Sequence, residues 1–187
     1  WLKNIVRYLN AQKNIHGVFG KILPYEPDQH QNLICPSIFL QDKPATVRNS
    51  YVIHHQTLGL GSNMSIRKSV FSATGNFREW LGPGAYDLAG GEDGDLIHRI
   101  LLHNFVLAYD PNIITYHNRW LTKEENRLLQ RKYTAGEVAY MLFYFLQGEW
   151  KMGLTLMRTI RERLLDQGLK EQIKNLFRLN SKFHIRV

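Results

Sequence analysis

The sequence predicts an α/β fold followed by a run of helices. Three observations carry that prediction: apolar residues at helical spacing near the start, extended apolar segments alternating with helical ones through the middle, and helical periodicity without strand signals after residue 122. A chain of 187 residues can bury a substantial core within one domain. Hydrophobic residues at 44% against charged residues at 21% are globular proportions, which exclude disorder as the main state.

Leu2, Ile5, Val6 and Leu9 recur as one face of a helix, and residues 16–23 then read as a strand ending at Pro24. Residues 25–44 are proline-rich with weak periodicity and are expected to be a surface loop. A second extended segment over residues 50–60 leads into Gly61-Ser62-Asn63-Met64-Ser65-Ile66-Arg67-Lys68, with a short helix following through Phe71. Residues 75–91 read as a mobile glycine-rich loop anchored by Phe77, Trp80 and Leu81. Leu96, Ile97, Ile100 and Leu101 then line a helix that stops near Asn104. Two short strands follow, residues 105–109 and 113–117, parted by the turn-forming pair Asp110-Pro111. The rest is helical. The division expected is residues 1–121 as the α/β unit and 122–187 as a helical region with a basic tail.

Net charge is +8 and unevenly placed. Residues 1–150 carry 15 basic and 13 acidic side chains, whereas residues 151–187 carry 9 and 3. Such a tail suits phosphate groups, of nucleic acid or of an anionic membrane surface. No RRM, KH, zinc-finger or helix-turn-helix signature accompanies the charge, so nucleic acid is not an expected partner. Met152, Leu156, Ile160 and Leu164 lie four apart beside Arg158, Arg161 and Arg163, the pattern of an interfacial helix or of a stripe packed on the domain. The longest apolar run, residues 139–146, is too short to cross a bilayer. No signal-peptide pattern is visible at Trp1-Leu2-Lys3. A cytoplasmic location is therefore expected, with peripheral contact at the inner membrane face. Cys35 is the single cysteine, which excludes an internal disulfide and reads as a small buried hydrophobe.

The most informative stretch is Gly90-Gly91-Glu92-Asp93-Gly94-Asp95-Leu96, an acidic cluster at the start of a predicted helix. Taken alone, it reads as helix capping, since carboxylates there meet free amide donors and the helix dipole. Its neighbours change that reading by their order. Upstream stand residues 61–68 with Phe71, then Gly75-Asn76-Phe77-Arg78-Glu79 with Leu81-Gly82; downstream come Tyr109-Asp110-Pro111 and His117. The series resembles family 2 glycosyltransferases of the GT-A fold, whose pattern runs from Gly-x-Asn-Met through Gly-x-Phe-x-Glu to Gly-Glu-Asp and a later His.

That resemblance implies a C-terminal half of a GT-A-like domain that transfers a sugar, with inversion, from a nucleotide-sugar donor to a saccharide or lipid-linked acceptor hydroxyl. It assigns Asp93 as general base and Glu92 as its orienting neighbour. It makes His117 a ligand for Mn²⁺ or Mg²⁺ beside the leaving diphosphate, the alternative being a hydrogen-bonded structural histidine. Asn63 and Met64 would line the donor-sugar side, with core packing the alternative for Met64. Trp80 would stack on an acceptor sugar or anchor its loop. The family's metal-binding Asp-x-Asp is absent. Asp93-Gly94-Asp95 fits its letters but does not end a hydrophobic strand, and it is rejected as the metal pair. A complementary N-terminal half carrying the nucleotide site is thus an expected partner. The competing expectation is a noncatalytic interaction module, or half of a split glycosyltransferase.

Overall fold

A computed structural model describes residues 1–48, 58–84 and 90–164, with side chains through residue 161. Most of the extended segment expected over residues 50–60, part of the loop expected over 75–91, the side chains of Arg163 and Leu164, and the tail after residue 164 lie outside the described residues.

The architecture is mixed α/β, built on a four-stranded sheet of described residues in the spatial order Ala45–Val47, Leu107–His117, Gly17–Pro24 and Met64–Ile66. Helix α1 (Leu2–Ala11) leads into β1 (Gly17–Pro24). Strand β1 pairs in parallel with β4 (Leu107–His117) and antiparallel with β3 (Met64–Ile66), while β2 (Ala45–Val47) adds antiparallel to the far side of β4. Parallel neighbours require a long crossover, and the chain between β1 and β4 includes helices α2 (Lys68–Thr74) and α3 (Glu92–Leu102).

Successive strand residues point to opposite faces, and the core divides accordingly. Phe19 and Leu107 pack with Val70 of α2 and with Leu96, Ile97, Ile100 and Leu101 of α3. Val18 and Ile113 pack instead with Ile5 of α1, and Ala108 lies among Ile15, Val106, Tyr8 and Leu9. The sheet is therefore sandwiched, with α1 on one face and α2 and α3 on the other. Arg67 fastens α1 in place: its guanidinium donates to the carbonyls of Leu9, Gln12 and Ile15, satisfying acceptors that a helix end leaves open.

Strand β4 corrects one expectation. The sequence read Asp110-Pro111 as a break between two strands, but the chain forms one strand of 11 residues whose register against β1 shifts between Gly20 and Lys21. The extra residues are held as a bulge. Asp110 Oδ1 accepts from the backbone and side-chain N–H groups of Asn112, each at 2.9 Å, and the Asn112 carbonyl accepts from Asn4 at 2.8 Å. A Cβ on Gly20 would stand 1.9 Å from the Ile113 carbonyl oxygen, so the bulge needs glycine opposite it. The short helix expected through Phe71 runs to Thr74 and stops at Gly75, whose φ is 72°.

The chain separates into two compact units, Trp1–Tyr140 and Met141–Val187. The division falls later than residue 121 because the first part of α4 (Lys123–Leu146) belongs to the α/β unit. Its Gly136 meets Gly90 and Gly91 backbone to backbone, and its Tyr133 and Tyr140 close over Gly90 and Gly94. A capping box starts α4: the Thr122 backbone N–H donates to Glu125 Oε2 at 2.8 Å while Thr122 Oγ1 accepts from the Glu125 N–H at 3.3 Å. In the second unit, Gly148 turns the chain at φ 96° into α5 (Trp150–Leu164).

Candidate active site

Helix α3 opens at Gly91, whose φ of 96° suits glycine and which makes no side-chain capping bond. Glu92, Asp93 and Asp95 then fill its first turn, where the helix dipole favours acidic side chains. Each of the three carboxyls meets a different residue from earlier in the chain.

Asp93 is half-buried and oriented by two backbone amides. The Gly94 N–H donates to its Oδ1 at 2.9 Å and the Gly61 N–H to its Oδ2 at 3.0 Å. Residue 61 has to be glycine for this approach, since a Cβ there would lie 2.6 Å from Oδ2. A carboxylate has about four acceptor positions, so the two amides fix the group and leave positions for further hydrogen bonds.

Glu92 packs against Gly82, where a Cβ would come within 3.0 Å of the Glu92 Cδ. Its Oε2 is buried and makes no hydrogen bond. Burial pushes the Glu92 carboxyl above its ordinary range; its own backbone N–H works against that rise, and the charge of Asp93 adds to it.

Asp95 is fully buried and ion-paired. Arg78 Nε donates to Oδ1 at 3.0 Å, while Arg99 donates to Oδ2 from Nε at 3.0 Å and from Nη2 at 2.7 Å. Arg99 also donates to the carbonyls of Thr74, Gly75 and Asn76. Asp95 is thus the post to which the Gly75-to-Arg78 segment is tied, a structural use of the second Asp in Asp93-Gly94-Asp95. Its i,i+4 spacing from Arg99 was a readable signal; the partnership with Arg78 had none.

The other predicted residues are placed as follows. Asn63 is 1% exposed, and its amide is taken up by the fold. Its Nδ2 donates to the carbonyls of Lys21 and Ile113, both at 2.9 Å, and its Oδ1 accepts from Trp1 Nε1 at 2.8 Å. Asn63 thereby stitches β1 to the bulge of β4. Met64 packs against the α2–α3 side of the core. Trp80 is half-buried in the segment that brings Arg78 and Gly82 to α3.

His117 ends β4 opposite Pro24. Its Nδ1 lies 3.6 Å from Cys35 Sγ, and the thiol donates to the His117 carbonyl at 3.3 Å. Cys35 is accordingly only partly buried, and not the core hydrophobe that sequence suggests. Burial, then the charge of Arg119, holds the His117 imidazole below its ordinary value, keeping it neutral near pH 7. Among the described residues, no three His, Cys, Asp or Glu side chains are grouped to hold a metal ion. One imidazole beside one thiol is also a softer donor pair than Mg²⁺ or Mn²⁺ favours. The described residues therefore do not fit such a cation unaided.

No family model, curated protein or solved structure matches the chain. Chemically, the α3 turn offers one oriented, half-accessible carboxylate, a second carboxyl held in a poorly solvated setting, and a third neutralised by arginines.

Proposed function

We propose that this chain is the acceptor-side, catalytic-base half of an inverting, family 2-like glycosyltransferase with a GT-A-like domain. One observation supports the reading above others: two separately encoded segments of the motif series converge on the first turn of α3, Gly61 on Asp93, and Gly82 and Arg78 on Glu92 and Asp95.

In this mechanism, Asp93 accepts the proton of an acceptor hydroxyl as that oxygen attacks the anomeric carbon of the donor. The bond to the nucleoside diphosphate breaks with its electron pair passing to phosphate oxygen, and the anomeric centre inverts in one displacement. Glu92 keeps its neighbour positioned, and Trp80 offers an aromatic face to a saccharide or lipid-linked acceptor. Donor nucleotide and Mn²⁺ or Mg²⁺ are assigned to a complementary half bearing an Asp-x-Asp, with His117 adding at most one ligand. No helix among the described residues is long and apolar enough to cross a membrane, and we place the enzyme at the cytoplasmic face of one as a peripheral protein.

The test is Asp93→Asn in an active form that includes the nucleotide-binding half. Transfer falls about a hundredfold to ten-thousandfold while donor binding, read by calorimetry, is retained. Turnover at the unsubstituted rate would remove Asp93 from the chemistry and leave a noncatalytic interaction module as the better reading.

A further inference from the structure

Helix α5 presents a different apolar face to solvent from the one its periodicity suggests. Of the stripe Met152, Leu156, Ile160 and Leu164, Met152 is buried, Leu156 half-buried and Ile160 39% exposed, and Leu164's side chain lies outside the described residues. The most exposed large apolar groups among the described residues of this helix are Trp150 at 63%, Leu154 at 56% and Met157 at 67% exposure. Their spacing of four and three residues sets them on one side of the helix. Leu146, 72% exposed, stands at the end of α4, just across the Gly148 turn. The two arms of this hairpin pack together closely, for a Cβ on Gly153 would lie 2.6 Å from the Phe145 ring.

We propose that Trp150, Leu154 and Met157, continued by Leu146, form the face by which this chain seats on an anionic lipid surface. Charge decides the occupant. Lys151, Arg158 and Arg161 are exposed on the same helix, and residues 151–187 carry 9 basic against 3 acidic side chains. A second copy of the chain would bring the same positive charge to the contact and be repelled. Anionic headgroups supply the opposite charge, and the acyl boundary beneath them takes the apolar groups. Trp150 suits the headgroup level, where an amphipathic ring has one side apolar and one side wet. The Lys151 ammonium lies 5.8 Å from the centroid of that ring, so cation and aromatic reach the interface together. This assignment identifies the surface behind the peripheral location proposed above but does not depend on the glycosyl-transfer chemistry, since neither Glu92 nor Asp93 enters it.

The test uses the full chain with vesicles of phosphatidylcholine alone and of phosphatidylcholine with phosphatidylserine. The expected result is co-sedimentation with the serine-containing vesicles, weakened by high salt and reduced about tenfold or more by Leu154→Ser with Met157→Ser. Both positions are exposed, so circular dichroism of the variant should match the parent, and Trp150→Ala gives a second reading. Binding unchanged by these substitutions would overturn the assignment. So would failure of the parent chain to sediment with either vesicle, or a concentration-dependent dimer that the same substitutions abolish. None of these outcomes alters the expected loss of transfer in Asp93→Asn, so the two readings fail separately.

Discussion

The amino-terminal turn of α3 and the far end of β4 differ in how much of the chain is committed to them. At α3, Gly61, Gly82 and Arg78 arrive from two segments and meet three successive acidic side chains. At the end of β4, His117 has Cys35 beside it and, among the described residues, no cluster suited to a metal. Both positions carry chemically capable groups. A site, however, needs supporting contacts that fix its groups in place, and the α3 turn has them. The difference teaches that convergence of separately encoded segments is a stronger functional signal than one reactive residue at a strand end.

Breaking the support should show the contrast most strongly at Asp95. Asp95→Ala leaves two guanidinium groups without their buried carboxylate, so stability should fall by about 3 kcal/mol or more, measured by urea unfolding. A loss below about 1 kcal/mol would mean that Arg78 and Arg99 find water instead. His117→Ala should cost less, about 1 kcal/mol, because little beyond Cys35 depends on it.

The smallest effect concerns Glu92, which is half-buried and partly screened by water. Its folded-state value is raised, so between the unfolded and folded values the native state holds the extra proton. Its contribution to stability is therefore present below the ordinary carboxylate range and is lost as pH rises toward the raised value. Glu92→Gln should remove that component, so the stability of the variant relative to the parent rises with pH across the window. Parallel denaturation midpoints for the two proteins from acid to neutral pH would show that Glu92 is better solvated than its orphaned Oε2 suggests.

Local periodicity made several elements legible. Leu2, Ile5, Val6 and Leu9 marked α1, and the apolar run before Pro24 marked β1. Strand β2 escaped because three residues are too few to show alternation, and pairing with β4 is what makes Ala45–Val47 a strand. The Asp110-Pro111 break misled because the donors that stabilise the bulge, Asn4 and Asn63, lie far away in sequence. Asn63 itself was noticed for its motif, yet its buried amide bonds are tertiary facts. The acidic turn was legible as a cluster, whereas the sorting of its carboxyls into oriented, desolvated and neutralised groups depends on Gly61, Gly82 and Arg78 arriving in space. The tail's basic charge was plain from composition; which apolar side of α5 meets water was not, because two stripes share one helix.

The crossing of Gly136 on Gly90 and Gly91 makes the start of α4 a length gauge. Its first turn is pinned by Thr122 and Glu125, and a Cβ at residue 136 would lie 1.9 Å from the Gly90 carbonyl oxygen. A helix turns about 100° per residue, so one residue inserted between these two points would rotate Gly136 away and bring the Ala135 methyl to the crossing. Four inserted residues would nearly restore the direction but slide the glycine about 6 Å along the axis. Deletions fail in the same way. Sequence along the outer side of this stretch is free to drift while its residue count is not, and relatives of this chain should be recognisable by an unchanging interval between the helix cap and the glycine.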